Sequence, residues 1–75
     1  MSAEKVQFTV IIEKGESSFG AYVPDLPGCV AVGATRDEAR RLIQEAIAFH
    51  LEDMRTAGIP IPVPTTSIEL VEIAA

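Results

Sequence analysis

Only one stretch of the chain can build a long helix, and both of its ends are marked. Thr35-Arg36-Asp37-Glu38 forms a capping box, in which the Thr35 hydroxyl accepts from the Glu38 N–H while the Glu38 carboxylate reaches back to the N–H of Thr35. Asp37 and Glu38 also sit where the helix dipole favours negative charge. At the far end Gly58 fits the left-handed residue that follows a helix, and Pro60, Pro62 and Pro64 forbid its resumption. Placed at about 100° per residue, Ala39, Leu42, Ile43, Ala46, Ile47, Met54 and Ala57 fall in one broad arc, with Arg41, Gln44, Glu45, Glu52 and Arg55 opposite. An amphipathic helix over 35–57 must cover something, and the rest of the chain has to supply it.

The remainder reads as strands. Residues 6–13 alternate, with Val6, Phe8, Val10 and Ile12 on one face and Gln7, Thr9, Ile11 and Glu13 on the other. Residues 14–18 are a polar connection of hairpin length, after which 19–23 resumes with Phe19, Ala21 and Val23 facing one way and Tyr22 the other. Pro24 stops the ladder because it has no N–H to donate, and Pro27-Gly28 supplies a turn. Residues 30–32 make a short third strand. Beyond the helix, 59–64 is an extended connector laid against the protein by Ile59, Ile61 and Val63. Residues 67–73 form the last strand, whose apolar positions at 68, 70, 71 and 73 slip in phase and call for a bulge or burial on both faces.

The element order is therefore β-β-β-α-β, an α+β fold. Two simple hairpins and a right-handed crossover through the helix give the sheet order 3-2-1-4, with the helix on one face. The other face is left uncovered. It is expected to carry Gln7, Thr9, Ile11, Tyr22 and Ala31, a mixed surface suited to a partner or a second copy. Tyr22, Ile11, Thr9 and, on the helix flank, Phe49 are the candidate partner contacts.

At 75 residues the chain is one domain near the lower size at which a core folds unaided, which favours a homo-oligomer or a bound partner. No apolar run approaches the roughly 20 residues of a membrane span, and the first residues lack the basic and apolar regions of a signal peptide. A single cysteine leaves no internal disulfide to form, consistent with a reducing cytoplasmic setting. The net charge of -5 opposes unassisted binding to nucleic acid or anionic membrane and suits a basic protein partner.

Nothing in the residue pattern specifies a reaction. One Cys and one His give no zinc spacing, and Gly28 and Gly33 lack the spacing and lysine of a phosphate loop, so no metal or cofactor is expected. A two-metal nuclease site needs an acid in the middle of the first strand, where Thr9, Val10 and Ile11 stand; a residual site would have to use Glu13, Asp25 or Glu38. Cys29 reads as a buried small hydrophobe with no cation nearby in sequence. His50 falls near the middle of the apolar arc and reads as a core-edge histidine bonded to backbone or to Asp53. Arg36, Arg40 and Arg41 are interleaved with Asp37 and Glu38, with Asp37 and Arg41 at ion-pair spacing, so this face is self-neutralised.

Tyr22-Val23-Pro24-Asp25-Leu26-Pro27-Gly28-Cys29, then Gly33-Ala34-Thr35-Arg36-Asp37-Glu38-Ala39, Glu45-Ala46 and Gly58-Ile59-Pro60-Ile61-Pro62 together resemble the HicB antitoxin family, including its small stand-alone members, over nearly the whole chain. The resemblance implies a partial ribonuclease-H-like βββαβ fold without the nuclease acids and assembly into homo-dimers or higher homo-oligomers. It also implies a partner role: HicB proteins neutralise HicA toxins, small basic ribonucleases that cleave mRNA, by covering the active site. Many members add a C-terminal DNA-binding segment, whereas here 1–75 reads as a single HicB-like domain without one, and direct DNA binding is not expected. The alternatives are an orphan oligomeric binding domain and a residual metal-dependent nuclease.

Overall fold

The computed structural model describes residues 5–75. Three strands, β1 (Ile11–Lys14), β2 (Phe19–Tyr22) and β3 (Val30–Gly33), are followed by one helix, α1 (Arg36–Ala57). The sheet is antiparallel throughout, in the order β1-β2-β3. This is the expected α+β arrangement of three strands and a covering helix.

Backbone chemistry sets where each element stops. The β1–β2 hairpin closes through the Gly15 N–H, which donates to the Ser18 carbonyl at 2.7 Å. β2 ends because Val23 turns its N–H to the Cys29 carbonyl and its own carbonyl to the Leu26 N–H. Alternation then aims the backbone of Pro24 at β1, and proline has no donor to offer. The first strand was expected over 6–13, but ladder pairing is confined to Ile11–Lys14 for this reason. Residues 5–10 stay outside the sheet, although Phe8, Val10 and Ile12 share the core-facing side as their alternation requires. Between β2 and β3 the chain makes two successive turns, Leu26 N–H to Val23 carbonyl and Cys29 N–H to Leu26 carbonyl, both at 3.0 Å. Gly28 takes a φ of 85° at the third position of the second turn, a left-handed conformation that favours glycine. These turns drive Leu26 inward, where it is only 1% exposed.

The helix begins and ends as its residues dictate, with one shift. Glu38 N–H donates to the Thr35 hydroxyl at 3.1 Å, but the Glu38 carboxylate accepts from Ala34 N–H at 2.6 Å rather than from Thr35, so the return bond satisfies the preceding donor. Gly58 has a φ of 74°, and Gly58 N–H to Arg55 carbonyl with Ile59 N–H to Met54 carbonyl close the helix C-terminus. Arg41 pairs forward with Glu45 at 2.9 Å, not back with Asp37. At this exposure the pair contributes little.

The core consists of Ala21, Val23, Leu26, Cys29, Ala39 and Ile43, with Ala46, Ile47, Leu51 and Met54 packed against it from the helix. Ala57, expected on the apolar arc, is exposed in the last turn. Gly33 is where helix and sheet approach most closely: a Cβ there would lie 2.5 Å from the Ala39 backbone nitrogen.

Residues 67–73 form no strand, so among the described residues the sheet lacks the fourth member of the order 3-2-1-4. In the connector Ile61 is half-buried, while Ile59 and Val63 are exposed instead of packed. Thr66 is held at the sheet end of the molecule, and beyond it Ile68, Leu70, Val71 and Ile73 are all exposed.

Candidate partner-binding surface

The strand register settles which residues share the uncovered face. Ile11, Tyr22 and Val30 lie side by side in one row across the three strands, and Glu13, Gly20 and Val32 form the next. Both valines of β3 are about two-thirds exposed, at 64% and 65%, and Tyr22 is exposed beside them. Residues directly opposite on the other side are Ile12, Ala21 and Ala31, which pack on the core under α1. Ala31 thus faces the helix, not the open side where it was expected; Val30 and Val32 take its place.

That phase has a physical reason. Cys29, Ala31 and Gly33 alternate as the small residues of this segment, and a small row is what allows α1 to approach β3 closely. Two valines flanking an alanine invited the opposite reading. Side-chain size, rather than hydrophobicity, was the signal that could have found the two valines.

Of the four candidate contact residues, Ile11 and Tyr22 are cross-strand neighbours on the open face. Phe49 projects from α1 with 77% of its surface exposed and borders a shallow depression shared with Val30, Cys29 and His50. Val30 therefore links Tyr22 on the sheet to Phe49 on the helix, and the apolar surface continues around the β3 edge. Thr9 does not join it: its hydroxyl donates to the Thr66 carbonyl at 3.0 Å, tying the N-terminal segment to the connector. Glu13 stands on the open face and Glu45 at the rim of the depression, so the carboxylates next to this apolar surface are solvent-exposed.

The remaining singled-out residues have mostly local roles. Cys29 is buried, and burial pushes its thiol pKa up, away from the reactive thiolate. His50 is half-buried, and among the described residues no hydrogen bond joins it to Asp53. Arg36 lies over the Phe19 ring, 5.5 Å from its centre. Glu13, Asp25 and Glu38 stand on a strand, a loop and a helix N-terminus, and the last two are engaged in hydrogen bonds to the chain. Among the described residues no three His, Cys, Asp or Glu side chains gather, and no helix is long and apolar enough to cross a membrane.

Asp25 makes a polar clasp between distant segments. Its carboxylate accepts from the hydroxyls of Thr66 at 3.0 Å and Thr65 at 3.2 Å, and from both backbone N–H groups at 3.3 and 3.4 Å. Burial opposes the charge on Asp25, but the hydrogen bonds from Thr66 and Thr65 outweigh it and hold the pKa below the ordinary 3.8. A depressed carboxyl stabilises the fold above its unfolded pKa, so the clasp is complete at neutral pH and lost only as pH falls through the lowered value. The amide resonances of Thr65 and Thr66 are accordingly expected to titrate together with a midpoint below 3.8, and to lose that titration in Asp25→Asn. A midpoint at or above 3.8 would show that the clasp does not form in solution.

A two-layer α+β domain with an apolar, uncovered sheet face is the class that fold and surface define. The family model described as the HicB-like antitoxin of bacterial toxin–antitoxin systems matches residues 8–74, and the chain belongs to that family. It is 48% identical over 44 residues to a UPF0150 protein of Helicobacter pylori, an alignment covering 59% of this chain and 61% of the relative. A UPF0150 protein of Thermoplasma acidophilum is 40% identical over 58 residues, covering 76% of this chain and 84% of the relative. Antitoxin HicB 2 of Photorhabdus laumondii is 32% identical over 78 residues, covering 97% of this chain and 53% of the relative. The chain thus spans about three-fifths of the Helicobacter protein and about half of the Photorhabdus antitoxin. No solved structure gave a significant match.

Proposed function

We propose that this chain is a non-catalytic antitoxin module that binds a small basic HicA-like mRNA ribonuclease and covers its active site. The observation that carries the proposal is the row Ile11, Tyr22 and Val30 on an uncovered sheet face, continued to Phe49, in a member of an antitoxin family. Apolar surface at the centre and carboxylates around it match the anatomy of a protein interface, in which aromatic and aliphatic anchors are buried and charges stay at the rim. The net charge of -5 would speed encounter with a basic toxin and oppose the approach of RNA to the covered site.

In this reading the protein acts in the cytoplasm as a homo-dimer or higher homo-oligomer. The partial ribonuclease-H-like order 3-2-1-4 belongs to the assembled protein, in which 67–73 joins the free edge of β1.

Co-expression with a HicA-like toxin tests the proposal. The parent chain is expected to restore growth of cells making the toxin, and Tyr22→Asp with Val30→Asp to lose that protection. Both positions are exposed, so the far-UV circular dichroism of the double variant should match that of the parent. Undiminished protection by the double variant would place the contact elsewhere.

A further inference from the structure

Among the described residues the segment 67–75 pairs with no strand. Asp25 and Thr9 hold Thr66 from two sides, and past that point Leu70 is 96% and Ile73 81% exposed. Large aliphatic side chains at that exposure, four within six residues, are out of keeping with a solvated tail. The Cα radius of gyration is 14.4 Å, against about 11 Å for a compact chain of this length, and the longest extent is 48 Å.

A receptor for such an arm is present on the same chain. Residues 5–10 run alongside α1 without ladder partners among the described residues, so their backbone groups and the outer edge of β1 are open. Between this segment and the helix lies a groove of about 880 Å³ whose apolar walls include Val6, Phe8, Val10, Ile12, Ile43 and Ile47. Ile68 also lines the groove, while Leu70, Val71 and Ile73 beyond it do not and are exposed. Arg40 lines the groove, while Glu69 and Glu72 interleave with the aliphatic residues of the arm.

We propose that 67–75 is an exchange arm. It lies along the open β1 edge of a second copy of the chain and fills that copy's groove, while the second copy's arm does the same in return. An unpaired strand-forming arm meets an unpaired strand edge, apolar side chains meet apolar walls, and Glu69 or Glu72 meets Arg40. A reciprocal exchange of this kind is self-complementary about a two-fold axis and closes as a dimer. The fourth strand of each sheet is then supplied in trans. This inference goes beyond the antitoxin reading and does not depend on it.

Light scattering on the parent chain is expected to give twice the 8.0 kDa chain mass. Leu70→Asp with Ile73→Asp should halve that mass and leave the helical circular dichroism unchanged, since neither side chain is buried in the single chain. In a parent sample mixing isotope-labelled and unlabelled chains, contacts between the Leu70 methyls and Val6 or Val10 should be intermolecular. A monomeric parent at the concentration used for that spectrum would overturn the proposal, as would purely intramolecular contacts or a dimer that survives the double substitution. Toxin binding retained by the monomeric variant would leave the antitoxin reading standing whichever way the arm is decided.

Discussion

Replacing Leu26 by alanine is expected to remove about 2–5 kcal/mol of stability, the range for truncating a large buried aliphatic side chain whose surroundings cannot fully collapse. Leu26 is 1% exposed and is driven into the core by two successive turns whose hydrogen bonds run from Val23 to Cys29. Those turns fix the backbone on both sides of it, so relaxation into the cavity is limited. A domain of 75 residues has a total stability of about 4–11 kcal/mol at the usual value per residue, and the loss is therefore a large fraction of the whole. Urea unfolding followed by circular dichroism should show a much lower midpoint at similar slope. A midpoint within the error of the parent would mean that the turn region is not part of the cooperative core.

Gly33→Ala is expected to be nearly as damaging for the opposite reason, since it adds an atom where none fits. The new Cβ would stand 2.5 Å from the Ala39 nitrogen and 3.0 Å from both Ala39 Cα and the Glu38 carbonyl carbon. All three are backbone atoms in the first turns of α1, so the helix must lift from β3 to relieve the contact. Overpacking of this kind costs about 1–3 kcal/mol and occasionally more. Gly20→Ala is the matched control, because a Cβ there meets nothing within 4 Å. Urea midpoints should fall sharply for Gly33→Ala and stay near the parent value for Gly20→Ala; equal midpoints would contradict the close approach of helix and strand.

What could be read from the residues alone was what depends on neighbours in sequence. Thr35 capping Glu38 N–H and Gly58 ending the helix are local consequences of hydroxyl and glycine chemistry, and each is found at its expected residue. The errors arise where two elements have to meet. The phase of β3 is not legible locally because Val-Ala-Val permits either face, and only the approach of α1 selects the small residues. The clasp between Asp25 and Thr65-Thr66 joins residues 40 and 41 positions apart, a distance at which no spacing rule applies. The last segment has strand composition, yet among the described residues 67–73 pairs with no strand, and composition alone does not name a pairing edge.

The candidate surface follows the same division. Tyr22 and Ile11 were legible from strand alternation, while Val30 and Val32 were not, and Thr9 was displaced from the surface by its bond to Thr66. Val30 is nevertheless the residue that makes one surface of Tyr22 and Phe49.

The most direct measurement of the central claim is the calorimetric affinity of a purified HicA-like toxin for the parent chain and for the Tyr22→Asp, Val30→Asp double variant. If the open sheet face is the contact, the parent binds and the double variant binds about a hundredfold or more weakly, the effect of losing two anchors at the centre of an interface. Equal affinity of the two proteins, or no binding by the folded parent, would contradict it.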